Sequence, residues 1–288
     1  MIGSVFQLRN PFLMLLEDWL GHSIWPSEEK LWVSYGDEMG FLRSQIVSSI
    51  KEVLARKGLV LVSTSRFGSY PFADVKRLSA VWNYPVTTIF DVGANEGEST
   101  LEALNGFPKA RVLSFEPHPP TFATLVAKAG GNPRFQGFNL ALGTDIGEVE
   151  MIEYDDSTTN SLTPNNPFST RWSTRGRSIR VQETTLDTFC SEHSIDRIDL
   201  LKIEAEGLDL AVLQGGSLML QKWAVKFVLV EFNDLPPRDG VVGGALMPCQ
   251  DLLDPFGFRF VAAYNDYIST AGEMFSVSKA LFCLPPRR

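Results

Sequence analysis

The sequence predicts an α/β fold of the Rossmann-like type, with a mostly parallel sheet and helices on both of its faces. From Thr88 onward, short apolar runs alternate with amphipathic segments, a pattern typical of parallel sheets. The first run ends in a glycine turn, and the second run ends in an acidic residue. The chain has 288 residues, 44% of them hydrophobic, which is enough for one well-buried core and an appendage.

Residues 1–85 are predicted to form a helical N-terminal extension, and residues 86–288 the α/β domain. Apolar residues recur at helical spacing over 13–20 and again over 41–54, and Gly58 ends the second helix. We expect most of this extension to cap one face of the sheet with its apolar stripes. The alternative is a lid over the substrate or a contact between two copies in a homodimer.

The segment from Thr88 to Glu98 has the pattern strand, glycine turn, helix. Gly93 lets the chain turn sharply and lets a ligand approach the backbone, and Gly97 lets the helix pack close to the strand. The amino terminus of the helix offers unpaired N–H groups, which favour an anionic group of a small ligand. The residues of this turn that we expect to bind the ligand are Asp91, Gly93, Ala94, Asn95, Gly97 and Glu98.

The second apolar run, Arg111 to Phe115, ends on Glu116 and Pro117. An acid about twenty residues after the glycine turn is where a nucleotide site accepts hydrogen bonds from both ribose hydroxyls. The turn lacks the middle glycine of G-x-G-x-x-G, which disfavours a pyrophosphate and therefore a dinucleotide. S-adenosylmethionine has one nucleoside and no phosphate, so it is the predicted cofactor. A nicotinamide-dependent oxidoreductase is the less favoured alternative.

A helix from Pro119 to Ala129 and a third strand from Phe135 to Leu142 are predicted next. Ala141 and Leu142 lie where an adenine would be sandwiched, so we expect both to contact the cofactor through backbone and apolar atoms.

Two further segments, Glu148 to Tyr154 and Ser178 to Thr184, alternate like strands and are predicted to pair as an inserted hairpin. The polar stretch 155–176 lies between them. Such stretches are by default solvated loops, but a long loop inside a compact domain often has a function.

The fourth strand, Ile198 to Ile203, leads into the carboxylates Glu204, Glu206 and Asp209. Carboxylates this close together are costly unless they face solvent, a cation or a shared proton. For Asp209 we favour a role at the amino terminus of a helix over 208–220. For Glu204 and Glu206 we favour a role in the site, because they share the carboxyl edge of the sheet with the acids of the first two strands.

A fifth strand, Phe227 to Val230, brings Glu231 to the same edge, and strands over 258–263 and 280–284 complete a seven-stranded sheet. The last strand is predicted to be antiparallel. A hydroxyl acceptor must lose its proton during methyl transfer. The candidate bases are Glu204, Glu206 and Glu231, with His118 as the alternative. A divalent metal could be held by the same carboxylates, and we favour a metal-free site.

Several short motifs resemble the FkbM family of S-adenosylmethionine-dependent methyltransferases. They are DVGANEG from Asp91, FEP from Phe115, TLD from Thr185, LLKIEAEG from Leu200, VLQGG from Val212 and VLVEF from Val228. In order, they cover residues 86–235. The family usually has Asp where this chain has Glu204, whose longer side chain reaches further.

The resemblance implies an O-methyltransferase that acts on a hydroxyl of a small molecule, such as a sugar, a glycoside or a polyketide-like natural product. A short Ser-containing patch of the family matches Thr159 to Leu162, which implies that Asn160 and Ser161 lie near the cofactor or the acceptor. A non-catalytic domain that keeps the fold and offers a partner surface is the third hypothesis.

Composition argues against several other classes of protein. The formal net charge is -8, with no basic run, so a nucleic-acid substrate is disfavoured. The cysteines, Cys190, Cys249 and Cys283, fit neither a disulfide framework nor a zinc site. No apolar stretch approaches the about 20 residues of a membrane span, and no signal peptide is recognisable. These features predict a soluble protein of the cytoplasm.

Overall fold

A computed structural model of the protein describes residues 67–154, 160–162, 176–235, 244–269 and 274–286. The strands are β1 (Thr88–Val92), β2 (Arg111–Phe115), β3 (Phe135–Phe138), β4 (Ala141–Gly143), β5 (Gly147–Glu153), β6 (Arg177–Thr185), β7 (Ile198–Ile203), β8 (Val225–Asn233), β9 (Arg259–Ser269) and β10 (Phe275–Cys283). The α-helices are α1 (Pro71–Val81), α2 (Glu98–Gly106), α3 (Pro119–Ala129), α4 (Leu186–Glu192), α5 (Asp209–Gly215), α6 (Ser217–Gln221) and α7 (Leu246–Leu253), and a 3₁₀ helix covers Asp254–Phe256.

The main sheet has seven strands in the order β3-β2-β1-β7-β8-β10-β9. β10 runs antiparallel to both of its neighbours, and the other pairs are parallel. This confirms the predicted seven-stranded, mostly parallel sheet with an antiparallel last strand. β1 and β7 are buried along their whole length, which is why their sequences are nearly continuous apolar runs.

Helices cover both faces of the main sheet, as predicted. Ile89 and Phe90 point to opposite faces because successive side chains of a strand alternate. Ile89 belongs to a core cluster with residues of α1, α2 and α3. Phe90 belongs to a second cluster with residues of α4, α5, α6 and α7.

A second, smaller sheet has the order β4-β6-β5. β5 and β6 pair antiparallel, which confirms the predicted hairpin. The prediction of a third strand through Leu142 is wrong beyond Phe138, because β4 belongs to the small sheet. The physical cause is Asn139, whose amide donates to the carbonyl oxygens of Glu116 and Pro117 and holds the chain away from the main sheet.

The predicted single helix over 208–220 is two helices, α5 and α6, with the break at Gly215 and Gly216. A Cβ on Gly215 would lie 2.0 Å from the carbonyl oxygen of Gly143, so close contact with β4 requires glycine there. The carboxylate of Asp187 then accepts hydrogen bonds from the N–H groups of Leu218 and Met219, which starts the second helix.

The described part of the N-terminal extension is helical and packs on one face of the sheet. α1 buries Phe72 and Val75 in the core cluster that contains Ile89. The helices predicted over 13–20 and 41–54 lie outside the described residues, and the domain boundary at 85 stays a prediction. Among the helices that the structure describes, none has both the length and the apolar character needed to cross a bilayer.

Candidate active site

The carboxyl ends of four parallel strands meet in one row. Val92 is in register with Phe115 of β2 and with Ile203 of β7, and Ile203 is in register with Val230 of β8. The residues that follow this row are Gly93, Glu116, Glu204 and Glu231. Strand register therefore brings together positions that are far apart in the sequence.

A cavity of about 500 Å³ opens at this edge, within the usual size range of ligand sites. Most of the predicted site residues line it. They are Gly93, Ala94, Asn95, Glu98, Glu116, Pro117, Ala141, Leu142, Asn160, Glu204 and Glu206. The predicted residues that do not line it are Asp91, Gly97, His118, Ser161 and Glu231. Lys202 and Lys279 line the cavity although the sequence analysis did not select them.

Both glycines of the turn have positive φ angles, but they make room for protein atoms. Gly93 has φ +69°, and a Cβ there would lie 1.9 Å from the carbonyl oxygen of Glu204. Gly97 has φ +98°, and a Cβ there would lie 2.7 Å from a methyl group of Leu125 in α3. The prediction that Gly97 makes room for the strand is therefore wrong, since its close neighbour is a helix.

Glu116 lies where the sequence predicts the ribose-binding acid. Its Oε2 accepts a hydrogen bond from the N–H of Asn95 at 3.0 Å, and its Oε1 accepts one from the N–H of His118 at 2.9 Å. Burial raises the pKa of Glu116 above its ordinary value, and the two N–H groups oppose this rise. The carboxylate is thus fixed in orientation at the wall of the cavity.

Asp91 does not face the cavity, which corrects its predicted role as a ligand contact. It is 1% exposed, and its Oδ2 accepts hydrogen bonds from the hydroxyls of Ser99 and Thr100, both at 2.7 Å. Its Oδ1 lies 2.9 Å from Nζ of Lys202. Asp91 therefore joins β1 to the first turn of α2 and to β7.

Lys202 is a buried cation at the centre of the site. Its Nζ lies 2.9 Å from Asp91, 3.1 Å from Glu204 and 3.2 Å from the carbonyl oxygen of Gly93. Burial alone would lower the pKa of Lys202, but the two carboxylates outweigh it and raise the pKa. The signal that could have identified this residue is a lone Lys inside an apolar strand, since a buried charge needs a partner.

Glu204 is held as an ionised carboxylate between two lysines. Its second oxygen lies 3.3 Å from Nζ of Lys279, which also lies 3.1 Å from Asp266. Burial would raise the pKa of Glu204, but the charges of the lysines outweigh it and lower the pKa to about 2.

A metal site would need the oxygens of Glu204, Glu231 and Asp266, which lie within 4.8 Å of one another. Lys279 already supplies positive charge to two of these three carboxylates. The donor set therefore fits an ammonium group as well as a divalent ion, and the preference for a metal-free site stays a prediction.

Glu231 does not line the main cavity and borders a smaller one of about 160 Å³, together with Gly207 and Cys249. Burial and the neighbouring carboxylates Glu204, Glu206 and Asp209 raise its pKa well above the ordinary value. The predicted candidate base is thus close to the carboxylate cluster, but it is not at the wall of the main cavity.

Asp209 lies in the first turn of α5, at the amino terminus of a helix as predicted, but its side chain makes no capping hydrogen bond there. Its carboxylate accepts hydrogen bonds from the N–H of Ala205 at 3.2 Å and from the N–H of Glu231 at 2.9 Å. Burial raises its pKa from 3.8 to about 6. Asp209 therefore fixes the loop after β7 against β8.

His118 and Ser161 hold the small sheet in place and do not line the cavity. The ring of His118 makes hydrogen bonds to Thr121 at 2.7 Å through Nδ1 and to Glu153 at 2.8 Å through Nε2. The hydroxyl of Ser161 donates to the carbonyl oxygen of Glu206 at 3.3 Å. Because both ring nitrogens of His118 are engaged away from the cavity, the structure argues against its predicted role as a base.

Asn160 shows that the cavity suits a polar ligand. Its side chain lines the cavity and the residue is 5% exposed. Its Oδ1 accepts a hydrogen bond from the N–H of Tyr154 at 2.7 Å, whereas its Nδ2 finds no acceptor in the described part of the chain. A buried polar group without a partner costs about 1–3 kcal/mol, so a ligand that accepts this hydrogen bond would be favoured. With Glu116 and the apolar residues Ala141 and Leu142 in the same cavity, the lining fits a nucleoside.

A family model described as "Methyltransferase FkbM domain" matches residues 91–269, which is more than half of the chain. The chain belongs to this family. It is an S-adenosylmethionine-dependent methyltransferase with the class I fold, which confirms the family resemblance and the cofactor that the sequence predicts. Membership in the FkbM family decides against the nicotinamide-dependent oxidoreductase and the non-catalytic domain.

Several characterised proteins are similar to this FkbM methyltransferase. The 2-O-methyltransferase NoeI of Sinorhizobium fredii is 26% identical over 199 residues, which are 66% of this chain and 79% of that protein. The hexuronic acid methyltransferase AglP of Haloferax volcanii is 28% identical over 159 residues, or 52% of this chain and 58% of that protein. The N-methyltransferase NodS of Bradyrhizobium japonicum superposes with a TM-score of 0.40 and 12% identity, over 75% of this chain and 94% of NodS.

Proposed function

We propose that this methyltransferase transfers the methyl group of S-adenosylmethionine to a hydroxyl of a small molecule. The observation that carries the proposal is the pair of carboxylates, Glu204 and Glu206, on the cavity wall beyond β7. A hydroxyl needs a base that removes its proton as the methyl group arrives, and carboxylates can serve as that base.

The residues on the other side of the cavity would hold the cofactor. Glu116 would accept hydrogen bonds from the ribose hydroxyls, and Ala141 and Leu142 would flank the adenine. The turn at Gly93 and Asn95 would lie beside the amino-acid end. When bound, S-adenosylmethionine supplies an electrophilic methyl group on a positively charged sulfur. The protein then has chiefly to align the acceptor with that methyl group, which can supply several kcal/mol.

Among the three candidate bases we assign the proton transfer to Glu206. Glu204 is a weak base, because the charges of Lys202 and Lys279 lower its pKa to about 2. Glu231 has a raised pKa but does not line the main cavity. Glu206 lines the cavity, and its carboxylate is the remaining one of the three candidates on that wall. Glu231 is the alternative base.

The relatives favour a sugar as the acceptor. NoeI is named a 2-O-methyltransferase and AglP a hexuronic acid methyltransferase. A glycoside or a polyketide-like product fits the same chemistry, because each offers a secondary hydroxyl. The homodimer contact and the cytoplasmic location stay predictions from the sequence.

The test is to incubate the protein with S-adenosylmethionine that carries a labelled methyl group and a panel of neutral sugars, amino sugars, uronic acids and macrolactones. The expected product has the label on a hydroxyl oxygen, as an ether and not as a carboxylate ester, located by NMR. We expect Glu206→Gln to lower kcat about 100-fold or more, the usual contribution of a general base. Glu150→Gln, an exposed position of β5, is the control and keeps the rate of the unchanged protein.

Two results would contradict this assignment. Label on nitrogen would overturn the hydroxyl acceptor, and an unchanged kcat in Glu206→Gln would overturn the base. A parallel reaction with a chelator tests the metal. We expect an unchanged rate, because Lys279 already neutralises Glu204 and Asp266.

A further inference from the structure

In the side-chain amide of Asn160, the buried oxygen has a hydrogen-bond partner and the buried nitrogen has none among the described residues. Its Oδ1 accepts the hydrogen bond from the N–H of Tyr154, and its Nδ2 has no acceptor in the described residues. The assignment of the two amide atoms is fixed, because only the oxygen can accept from a backbone N–H. Asn160 therefore has an N–H donor that no residue in the described part of the chain accepts.

Asn160 belongs to the wall that the small sheet contributes to the cavity. Leu142 of β4 and Met151 of β5 line the same wall. The backbone pairing between Ile152 and Ser161 attaches the Asn160 segment to the edge of β5, with hydrogen bonds of 2.8 and 3.1 Å. The donor is thus held on a fixed strand edge next to apolar side chains.

The strands that carry the lining residues indicate which part of the cofactor meets this donor. Glu116, directly after β2, is assigned to the ribose. Ala141 and Leu142 of β4, which are assigned to the adenine, belong to the same small sheet as the β5 edge that holds the Asn160 segment. A flat heteroaromatic ring is recognised by apolar contact with its faces and by hydrogen bonds at its edge. Adenine offers ring nitrogens as acceptors at that edge.

We propose that Nδ2 of Asn160 donates a hydrogen bond to a ring nitrogen of the adenine, which makes Asn160 the residue that reads the edge of the nucleobase. This rests on the cofactor site assigned above and adds to it a polar contact for the adenine. The apolar residues alone would accept any flat base, whereas the Asn160 donor requires an acceptor atom at one position of the ring.

The experiment is calorimetric titration with S-adenosylhomocysteine of the unchanged protein and of Asn160→Asp. The aspartate keeps an oxygen for the N–H of Tyr154 but replaces the donor by an acceptor. We expect the variant to bind about tenfold more weakly or worse, because one hydrogen bond is lost and two lone pairs face each other. Thermal unfolding of the ligand-free proteins shows whether the variant is folded.

A second measurement needs no substitution. The unchanged protein is titrated with the 1-deaza, 3-deaza and 7-deaza analogues of S-adenosylhomocysteine, each of which lacks one ring acceptor. We expect one of them to bind about three- to tenfold more weakly than the parent compound, and we expect this difference to vanish in Asn160→Asp.

Failure of the cofactor site and failure of the Asn160 contact give different results. If the unchanged protein does not bind S-adenosylhomocysteine, both the cofactor site and the Asn160 contact are disproved. If it binds, but folded Asn160→Asp binds equally well or no deaza analogue is weakened, only the role of Asn160 is overturned. If Asn160→Asp binds S-adenosylhomocysteine normally but has a raised KM for the acceptor, Asn160 contacts the acceptor. That result would also overturn the proposed hydrogen bond to the adenine.

Discussion

Glu116 is oriented before any ligand binds, because the N–H groups of Asn95 and His118 hold its two oxygens. We expect Glu116→Ala to weaken the binding of S-adenosylhomocysteine by about tenfold to a hundredfold, since hydrogen bonds to a charged group are worth about 1.5–3 kcal/mol. Calorimetric titration measures this. Glu150→Gln is the control, because Glu150 is an exposed position of β5 that does not line the cavity and its replacement leaves the affinity unchanged. Equal affinities of Glu116→Ala and the unchanged protein would rule out the ribose contact.

Asp209 makes the stability of the protein depend on pH. Its pKa rises from 3.8 in the unfolded chain to about 6 in the native state, chiefly through burial. Between these values the native state binds more protons than the unfolded state, so stability decreases as the pH rises from about 4 to 6.

Asp209→Asn removes this titration. Between pH 4 and pH 7 we expect the unchanged protein to lose about 2 kcal/mol of stability relative to the variant. Urea unfolding of both proteins at several pH values measures the difference between their free energies of unfolding. The contributions of the other titrating groups are nearly the same in both proteins and largely cancel in this difference. A difference that is the same at pH 4 and pH 7 would show that the carboxyl of Asp209 titrates normally.

At the scale of elements, the junction between β1 and β7 depends on the absence of a side chain at Gly93. Gly147 is the matched control, because its φ is +128° but a Cβ there would meet nothing within 4 Å. Gly147→Ala should cost about 1–3 kcal/mol from backbone strain alone. Gly93→Ala should cost at least about 2 kcal/mol more, because its Cβ would meet the carbonyl oxygen of Glu204. Denaturant unfolding compares the two variants, and equal losses would contradict the close approach.

The sequence predicted the elements of the central sheet better than the elements at its margin. Strands such as β7, buried on both faces, are continuous apolar runs and are easily recognised. The third strand was predicted too long because nothing local shows that Asn139 bonds to carbonyl groups after β2. The break between α5 and α6 depends on contact with β4, which the local helical pattern does not contain.

At the scale of the whole molecule, the main cavity is built from both sheets. The cavity is lined by residues after β1, β2 and β7 of the main sheet and by residues of β4 and β5 of the small sheet. S-adenosylhomocysteine at 100 times its Kd should raise the free energy of unfolding by about 2.7 kcal/mol. It should also slow hydrogen exchange at the N–H groups of Ile152 and Ser161, which pair at the edge of β5.

Denaturant unfolding and hydrogen exchange with mass spectrometry measure these two effects. Glu116→Ala at the same ligand concentration is the control, because its site is not filled and both effects should be smaller. Stabilisation without any added protection of Ile152 and Ser161 would show that the ligand contacts the main sheet alone.

The sequence by itself determined the fold class, the glycine turn, Glu116 and the cofactor. These features are local, because strand periodicity, a turn and an acid at a strand end can each be recognised from a few consecutive residues. The tertiary structure decided the roles of the charged residues. Asp91 faces Lys202 because β1 and β7 pair in register, and His118, which follows β2, bonds to Glu153 at the end of β5 in the small sheet. Charges take their partners and their pKa values from burial and from distant strands, which no short segment of sequence contains.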